Sequence, residues 1–350
     1  MPLVANTDLP SFARYQAEGG EVLDPSRAQG QEIRELHIGL FNMMPDAALE
    51  PTERQFLRLV GGCNRIAQFH IYPFTSKKIP RGENAALHIE RFYFDFEELK
   101  DAGLDALIVS GANPIHAELT DEMFWEPLCD LLDWARTNVT STLCACLATH
   151  AALKYFHGIE RQPLPTKRWG VFAHQVSLAH PLVQGANTRF DVPHSRWNEI
   201  FPEQMVAADL KVLVSSEDAG VHLATSADGF RFVYFQGHPE YDHNSLLKEY
   251  KREVVRFLTG EISDYPPYPD RYFLDDAKAV LRQYQNKAMN CSDRTSLVEE
   301  FPESDVQVHN TWGDTGKVVF NNWLGTVYQI THRDRRKPFM PGIDPDNPLG

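Results

Sequence analysis

The sequence predicts an α/β fold in which a doubly wound, mostly parallel sheet is flanked by helices and carries an antiparallel extension. Three observations carry this expectation. Short apolar runs rich in β-branched residues alternate with amphipathic helical stretches across the first half of the chain. One stretch, residues 140–150, reads as a short β-branched strand running straight into a helix that begins Ala151-Ala152-Leu153-Lys154-Tyr155-Phe156. From about residue 172 to 235 the rhythm changes to strand, turn, strand, with Ala227-Asp228-Gly229 as a turn.

Taken in order, residues 1–34 are polar and Gly/Glu-rich and read as a surface arm. Residues 36–42 form the first buried strand. The following helix is expected over 50–60, with Pro51 near its start and Gly61-Gly62 closing it. Residues 65–72 alternate as a strand, 106–110 form another, and a helix is expected over 121–136. After the antiparallel stretch comes a helix over 245–258, read as capped by Ser245 and stopped by Gly260. Two further helices, over 274–287 and 317–328, precede a Pro/Asp/Gly-rich end. The domain expectation is an arm (1–34), a single α/β domain (35–330) and a flexible tail (331–350).

Composition excludes several classes. With 34 basic and 48 acidic residues the net charge is −14, and no Lys/Arg block is long enough to track a phosphate backbone, so nucleic acid is not an expected partner. The five cysteines form no CxxC pair and their number is odd, which suggests neither a disulfide framework nor a zinc knuckle. No metal is expected. The N-terminus has no basic start followed by an apolar core, and no apolar run reaches spanning length. A cytoplasmic protein with no membrane partner is the expectation.

The chemistry concentrates at the strand-to-helix junction around Cys146. A nucleophile on such a sharp turn is lifted above the carboxyl edge of a parallel sheet, and crowding there favours small residues two positions to either side. Around Cys146 these are Cys144 and Ala148; around Cys144 they would be Thr142 and Cys146, a poorer fit. The competing reading makes both cysteines buried core residues. Downstream, the apolar run 232–235 ends in Gln236-Gly237-His238-Pro239-Glu240-Tyr241-Asp242, which puts an imidazole and a carboxylate just beyond a strand. A thiol needs a base, and the base needs an orienting acceptor. His238 and Glu240 supply them, favouring a Cys-His-Glu triad. Two polar segments, 164–170 and 192–196, read as loops that could either meet a small substrate or lie on the surface.

Beyond these residues, ordered matches extend over about 26–330. They include Gly30-Gln31-Glu32-Ile33-Arg34, Asn42-x-Met44-Pro45, Thr52-Glu53-x-Gln55-Phe56 and Thr140-Ser141-Thr142-Leu143-x-x-Cys146. Pro193-His194-Ser195-Arg196, Gly237-His238-Pro239-Glu240-Tyr241-Asp242, Glu249-Tyr250-x-Arg252 and Asn322-Trp323-Leu324 follow. In these the chain resembles the homoserine O-acyltransferases of the cysteine-triad type, the O-succinyl- and O-acetyltransferases of methionine biosynthesis. The resemblance implies a fold like that of class I glutamine amidotransferases, with a flavodoxin-like sheet, and a homodimer.

It also implies a ping-pong transfer in which Cys146 attacks an acyl-CoA thioester and His238 acts as base and then acid. Glu240 would orient the ring, and the Leu147 amide, with one near Met43 or Met44, would hold the oxyanion. Homoserine or a similar amino acid would then take the acyl group, with Lys167, Ser195 and Arg252 as its contacts. No cofactor is implied; acyl-CoA is a co-substrate.

Three positions depart from the family pattern. Leu147 stands where Trp is usual, Asp46-Ala47 replace paired lysines, and Ile115 occupies the position associated with donor choice, leaving acetyl against succinyl open. A glutaminase or other amidohydrolase of the same fold is the second reading, disfavoured by the absence of a Gly-x-Cys-x-Gly elbow. A catalytically silent binding protein is the third.

Overall fold

A computed structural model describes residues 3–63 and 67–350. Its described strands form one sheet: β1 (Leu3–Val4), β2 (Val22–Leu23), β3 (Glu35–Phe41), β4 (Gln68–Phe74), β5 (Ala106–Val109), β6 (Ser141–Ala145), β7 (Gln162–Val176), β8 (Arg189–Glu199), β9 (Lys211–Ser216), β10 (Gly220–Thr225) and β11 (Phe232–Phe235). Their spatial order is β2-β1-β4-β3-β5-β6-β11-β10-β9-β7-β8. From β2 to β11 every neighbour pair is parallel, and from β11 to β8 every pair is antiparallel.

Alternation along the central strands divides the core into two layers. Ala106, Ile108, Leu143 and Ala145 face the layer built by Phe56, Phe320 and Trp323, from helices Asp46–Gly61 and Gly313–Ile330. Leu107, Val109 and Cys144 face the opposite layer, filled by Leu128, Leu132 and Leu153 from helices Trp125–Asn138 and Leu147–His157. The central strands are therefore buried on both faces, which is why they read as unbroken apolar runs. A third cluster packs Trp169 and Val171 of β7 against helices Ser245–Leu258 and Asp275–Asn290.

Several elements differ from the sequence expectation. Residues expected as an arm supply β1 and β2 at the sheet edge, with Leu3, Val4, Phe12 and Leu23 buried. The C-terminal segment expected to be flexible is packed down: Thr331 bridges Phe339, Phe339, Ile343 and Leu349 lie against the core, and Arg231 donates to the Pro345 carbonyl at 2.9 Å. Scattered apolar residues among Gly, Pro and Asp anchor both ends, a pattern without periodicity.

The helix expected from residue 50 begins at Asp46, so Pro51 lies inside it. Residues 65 and 66 of the expected strand lie outside the described residues; the strand runs Gln68–Phe74. Asn244, not Ser245, occupies the cap of helix Ser245–Leu258, and Ser245 Oγ instead accepts from Gln55 Nε2 at 3.1 Å. Segments 164–170 and 192–196 are not loops: they lie within β7 and β8, paired Trp169 to Ser195 and Gly170 to His194.

Candidate active site

β6 and β11 are parallel neighbours in register Ala145 to Phe235, so the residues that follow them, Cys146 and Gln236, emerge at the same edge of the sheet. The Cys146 N–H donates to the Phe235 carbonyl at 2.7 Å and fastens the two strand ends together. Cys146 adopts φ 49° and ψ −107°, a backbone conformation that a side-chain-bearing residue reaches only at a cost of about 1–3 kcal/mol. The fold holds it there by pairing both flanks: Thr149 Oγ1 donates to the Cys144 and Phe235 carbonyls at 2.8 and 2.9 Å. Because Cys146 leaves the strand geometry, its side chain does not follow Cys144 into the core. Cys144 is completely buried, and burial pushes its thiol pKa up. A buried neutral thiol is inert, whereas the partly exposed Cys146 is accessible.

Beyond β11, the chain must pass close under β8 and β10. A side chain at Gly237 would meet Val192 Cγ1 at 2.5 Å and His194 Cε1 and His222 Nδ1 at 2.8 Å, so only glycine fits. The His238 N–H then donates to the Pro193 carbonyl at 2.8 Å, and its Nδ1 pairs with Glu240 Oε1 at 2.7 Å. That contact leaves Nε2 for the thiol. Nε2 is buried and meets no partner at strict hydrogen-bond geometry, yet the ring lies close enough to Cys146 for the two to interact directly. Burial is the largest influence on the imidazole and opposes its charge. Interaction with Cys146 and with Glu240 outweighs it and raises the pKa well above 6.5. Tyr241 stacks on the ring, with centroids 4.2 Å apart. The arrangement can hold a thiolate–imidazolium pair with the imidazole oriented by a carboxylate.

Leu147 is the first residue of helix Leu147–His157, so its N–H has no acceptor within the helix and can serve an anion beside Cys146. The amides of Met43 and Met44 are already engaged, by Ser110 Oγ at 2.8 Å and by Asn42 Oδ1 at 3.2 Å. Gly111 is the loop backbone against the thiol: a Cβ built on it would lie 3.7 Å from Cys146 Cβ and 3.7 Å from Met44 Sδ. Ile115 is 87% exposed, its N–H and that of His116 tied to Glu122 Oε1.

Lys167 and Ser195 come together on one acceptor that sequence reasoning did not single out. Glu249 Oε2 accepts from Ser195 Oγ at 2.6 Å and from Lys167 Nζ at 3.2 Å, and Oε1 accepts from the Tyr241 hydroxyl at 2.6 Å. Burial favours its neutral form, but Lys167, Ser195 and Tyr241 prevail and lower its pKa. Through Tyr241 this cluster abuts His238. Arg252, one turn along the helix, is not part of it: its side chain is exposed and its Nε donates to Glu253. The available signal for Glu249 was an acid next to the apolar Leu246, Leu247 and Tyr250 stripe, a poor place for an unpaired charge. Arg196 of the same motif is buried and spends its guanidinium on Glu199 at 3.1 Å and on His194.

Fold and site define an α/β protein in which a cysteine on a strand-to-helix elbow faces a histidine–carboxylate pair. The family model for homoserine O-succinyltransferase matches residues 2–333. The chain is 59% identical over 353 aligned residues to homoserine O-succinyltransferase of Methylobacter tundripaludum, covering 100% of both chains. It is 60% identical to that of Methylococcus capsulatus, covering 100% of this chain and 99% of the relative. A solved glutamine amidotransferase from Methylobacillus flagellatus aligns over 84% of this chain and 95% of its own at 15% identity, with a TM-score of 0.46. The chain belongs to the homoserine O-succinyltransferase family and is an acyltransferase.

Proposed function

We propose that this protein transfers a succinyl group from a CoA thioester to the hydroxyl of homoserine by way of a thioester on Cys146. The observation that carries the reading is the hydrogen-bonded His238–Glu240 pair set against a cysteine on a strained elbow. Succinyl rather than acetyl follows from the names of the relatives. In the first half-reaction the Cys146 thiolate attacks the thioester carbonyl, and the Leu147 N–H receives the developing oxyanion. His238, charged, gives its proton to the departing CoA sulfur. In the second half it takes the proton of the homoserine hydroxyl, whose oxygen attacks the acyl-enzyme and releases Cys146. Glu240 keeps Nδ1 protonated throughout, so Nε2 always faces the reaction.

An amino acid at neutral pH is a zwitterion, and the Lys167–Glu249 pair suits both of its charges: carboxylate to Lys167, ammonium to Glu249. Ser195 would position the acid, and Arg252, from outside the cluster, could reach only the rim of that site. For CoA, Lys77, Lys78 and Lys100 line a cavity of about 750 Å³ after the carboxyl end of β4. In the free protein they pair with Asp95, Glu126 and Glu97, so they would exchange these carboxylates for phosphates, in a chain that carries Asp46-Ala47 where lysines are usual.

The test supplies succinyl-CoA and homoserine, follows free CoA and O-succinylhomoserine, and looks for a succinyl adduct by intact mass when homoserine is omitted. Cys146→Ala should lose the adduct and more than about 10⁴-fold in turnover, while Cys144→Ala keeps most activity. An active Cys146→Ala enzyme, or an adduct elsewhere, would refute the mechanism; preference for acetyl-CoA would refute the donor.

A further inference from the structure

At the end of the sheet away from Cys146, the amino ends of β3 and β4 gather three groups that the reaction does not use. Glu35 and His37 alternate onto one face of β3, and His37 is the register partner of His70 on β4. His37 Nε2 lies 3.2 Å from Glu35 Oε2, and His70 Nε2 lies 3.8 Å from the same oxygen. The two rings stack with centroids 4.7 Å apart, and all three ligand-capable atoms fall within 4.8 Å of one another. Donors bound to zinc at about 2.0–2.1 Å in a tetrahedron are separated by about 3.3 Å, so the carboxylate needs only a small shift, while the two stacked rings must tilt until both nitrogen lone pairs meet on one ion. We infer that Glu35, His37 and His70 form a binding site for a divalent transition-metal ion of the zinc class.

The outer contacts support the assignment. His70 Nδ1 sits 2.8 Å from Asn6 Oδ1, and the Asn6 amide is oriented by its own donation to the Ile71 carbonyl at 3.3 Å. A carbonyl oxygen only accepts, so Nδ1 carries the proton and Nε2 offers a lone pair. That Nε2 is buried and has no hydrogen-bond partner. His37 Nδ1 lies 2.7 Å from the Tyr72 hydroxyl, whose oxygen can accept a hydrogen bond from Nδ1–H once the Nε2 lone pair is given to a metal. Imidazole nitrogens held in this way from their far side are the usual support of a metal-binding histidine.

Two imidazoles and one carboxylate suit zinc or its neighbours better than calcium or magnesium, which take oxygen ligands. The fourth position would open toward a cavity of about 660 Å³ lined by Glu35, His37 and Asp105 and by three arginines, Arg34, Arg333 and Arg335, where water can complete the tetrahedron. Burial is the main reason both histidines resist protonation, and Arg335 adds to it, so its charge opposes a cation here.

The site cross-links β3 to β4, and through Asn6 and Tyr72 it reaches the chain after β1 and the C-terminal segment. β3 spans about 20 Å, so the ion would stand well away from the thiol and act on stability rather than on acyl transfer. The sequence reading expected no metal because it weighed cysteine spacing; histidines on separate strands leave no linear spacing to recognise.

The test uses the full chain stripped with a chelator and titrated with Zn²⁺ against a chromophoric competitor, and with Co²⁺ for the visible bands of a four-coordinate ion. One equivalent should bind and raise the melting temperature. His70→Ala should weaken binding by at least about 100-fold, and Glu35→Gln, an isosteric change at a solvent-exposed position, by at least about 10-fold. Arg335→Ala should tighten it, and Cys146→Ala should leave it unchanged. Absence of stoichiometric binding, equal affinity in Glu35→Gln and the parent, or loss of the ion in Cys146→Ala would each overturn the site.

Discussion

The parallel and antiparallel halves of the sheet contribute to the candidate site in different ways. The parallel half, from β2 to β11, brings Cys146, Gly111 and His238 to one edge by strand ends alone, in register and independent of which polar side chains follow. The antiparallel half supplies Lys167 and Ser195 from within strands, from the faces of β7 and β8. Chemistry placed at strand ends is set by topology, whereas chemistry placed on strand faces is set by packing against another element, here the helix that carries Glu249.

The two contributions separate in kinetics. The largest effect should come from the strand-end group that orients the base: Glu240→Gln should lower kcat by about 10²–10⁴-fold with little change in either KM, because it leaves the imidazole misoriented. A matching rise in the KM for homoserine would mean that Glu240 also binds substrate. On the face-borne side, Glu249→Gln should raise the KM for homoserine by about 10–100-fold, the value of a charge-assisted hydrogen bond, and leave that for succinyl-CoA unchanged. Arg252→Ala should raise it less, since its side chain is exposed and screened. If Arg252→Ala has the greater effect, the helix rotates or the site closes when substrate enters.

The smallest effect concerns stability. Burial holds His150, in the helix after the elbow, at about 3 and His174, in β7, at about 4, both below the ordinary 6.5. As pH falls through 6.5 the unfolded chain takes up protons that the folded chain refuses, so stability is complete above that value and lost below it. Each histidine should contribute a loss of about 1 kcal/mol between pH 6.5 and 5.5. Urea midpoints at the two pH values should show the loss shrink by similar amounts in His150→Gln and His174→Gln. No change in either variant would mean that these rings stay unprotonated in the unfolded chain as well, or are charged in the folded one.

The parallel strands and the elbow were legible in the sequence because burial on both faces writes an unbroken apolar run, and the residue types after Ala145 and Phe235 name their chemistry. Segments 164–170 of β7 and 192–196 of β8 read as loops because Pro165, Gly170 and Pro193 punctuate them. β8 is an edge strand, where a proline is tolerated, and β7 changes register between Pro163 and Arg168. The oxyanion contribution expected near Met43 and Met44 was also beyond reach, since only the folded chain reveals that Ser110 and Asn42 have already taken those amides.

By itself the sequence determined the fold class and singled out Cys146, His238 and Glu240 as candidates, because each depends on local pattern or on residues within a few positions of a strand end. Tertiary structure alone decided that Lys167 and Ser195 meet on Glu249 while Arg252 does not, that the described segments near both ends of the chain pack onto the sheet and its core, and that Glu35, His37 and His70 come within 4.8 Å of one another. Those are contacts between side chains of distant segments. They depend on strand register and helix rotation, quantities that no stretch of chain encodes until its neighbours are in place.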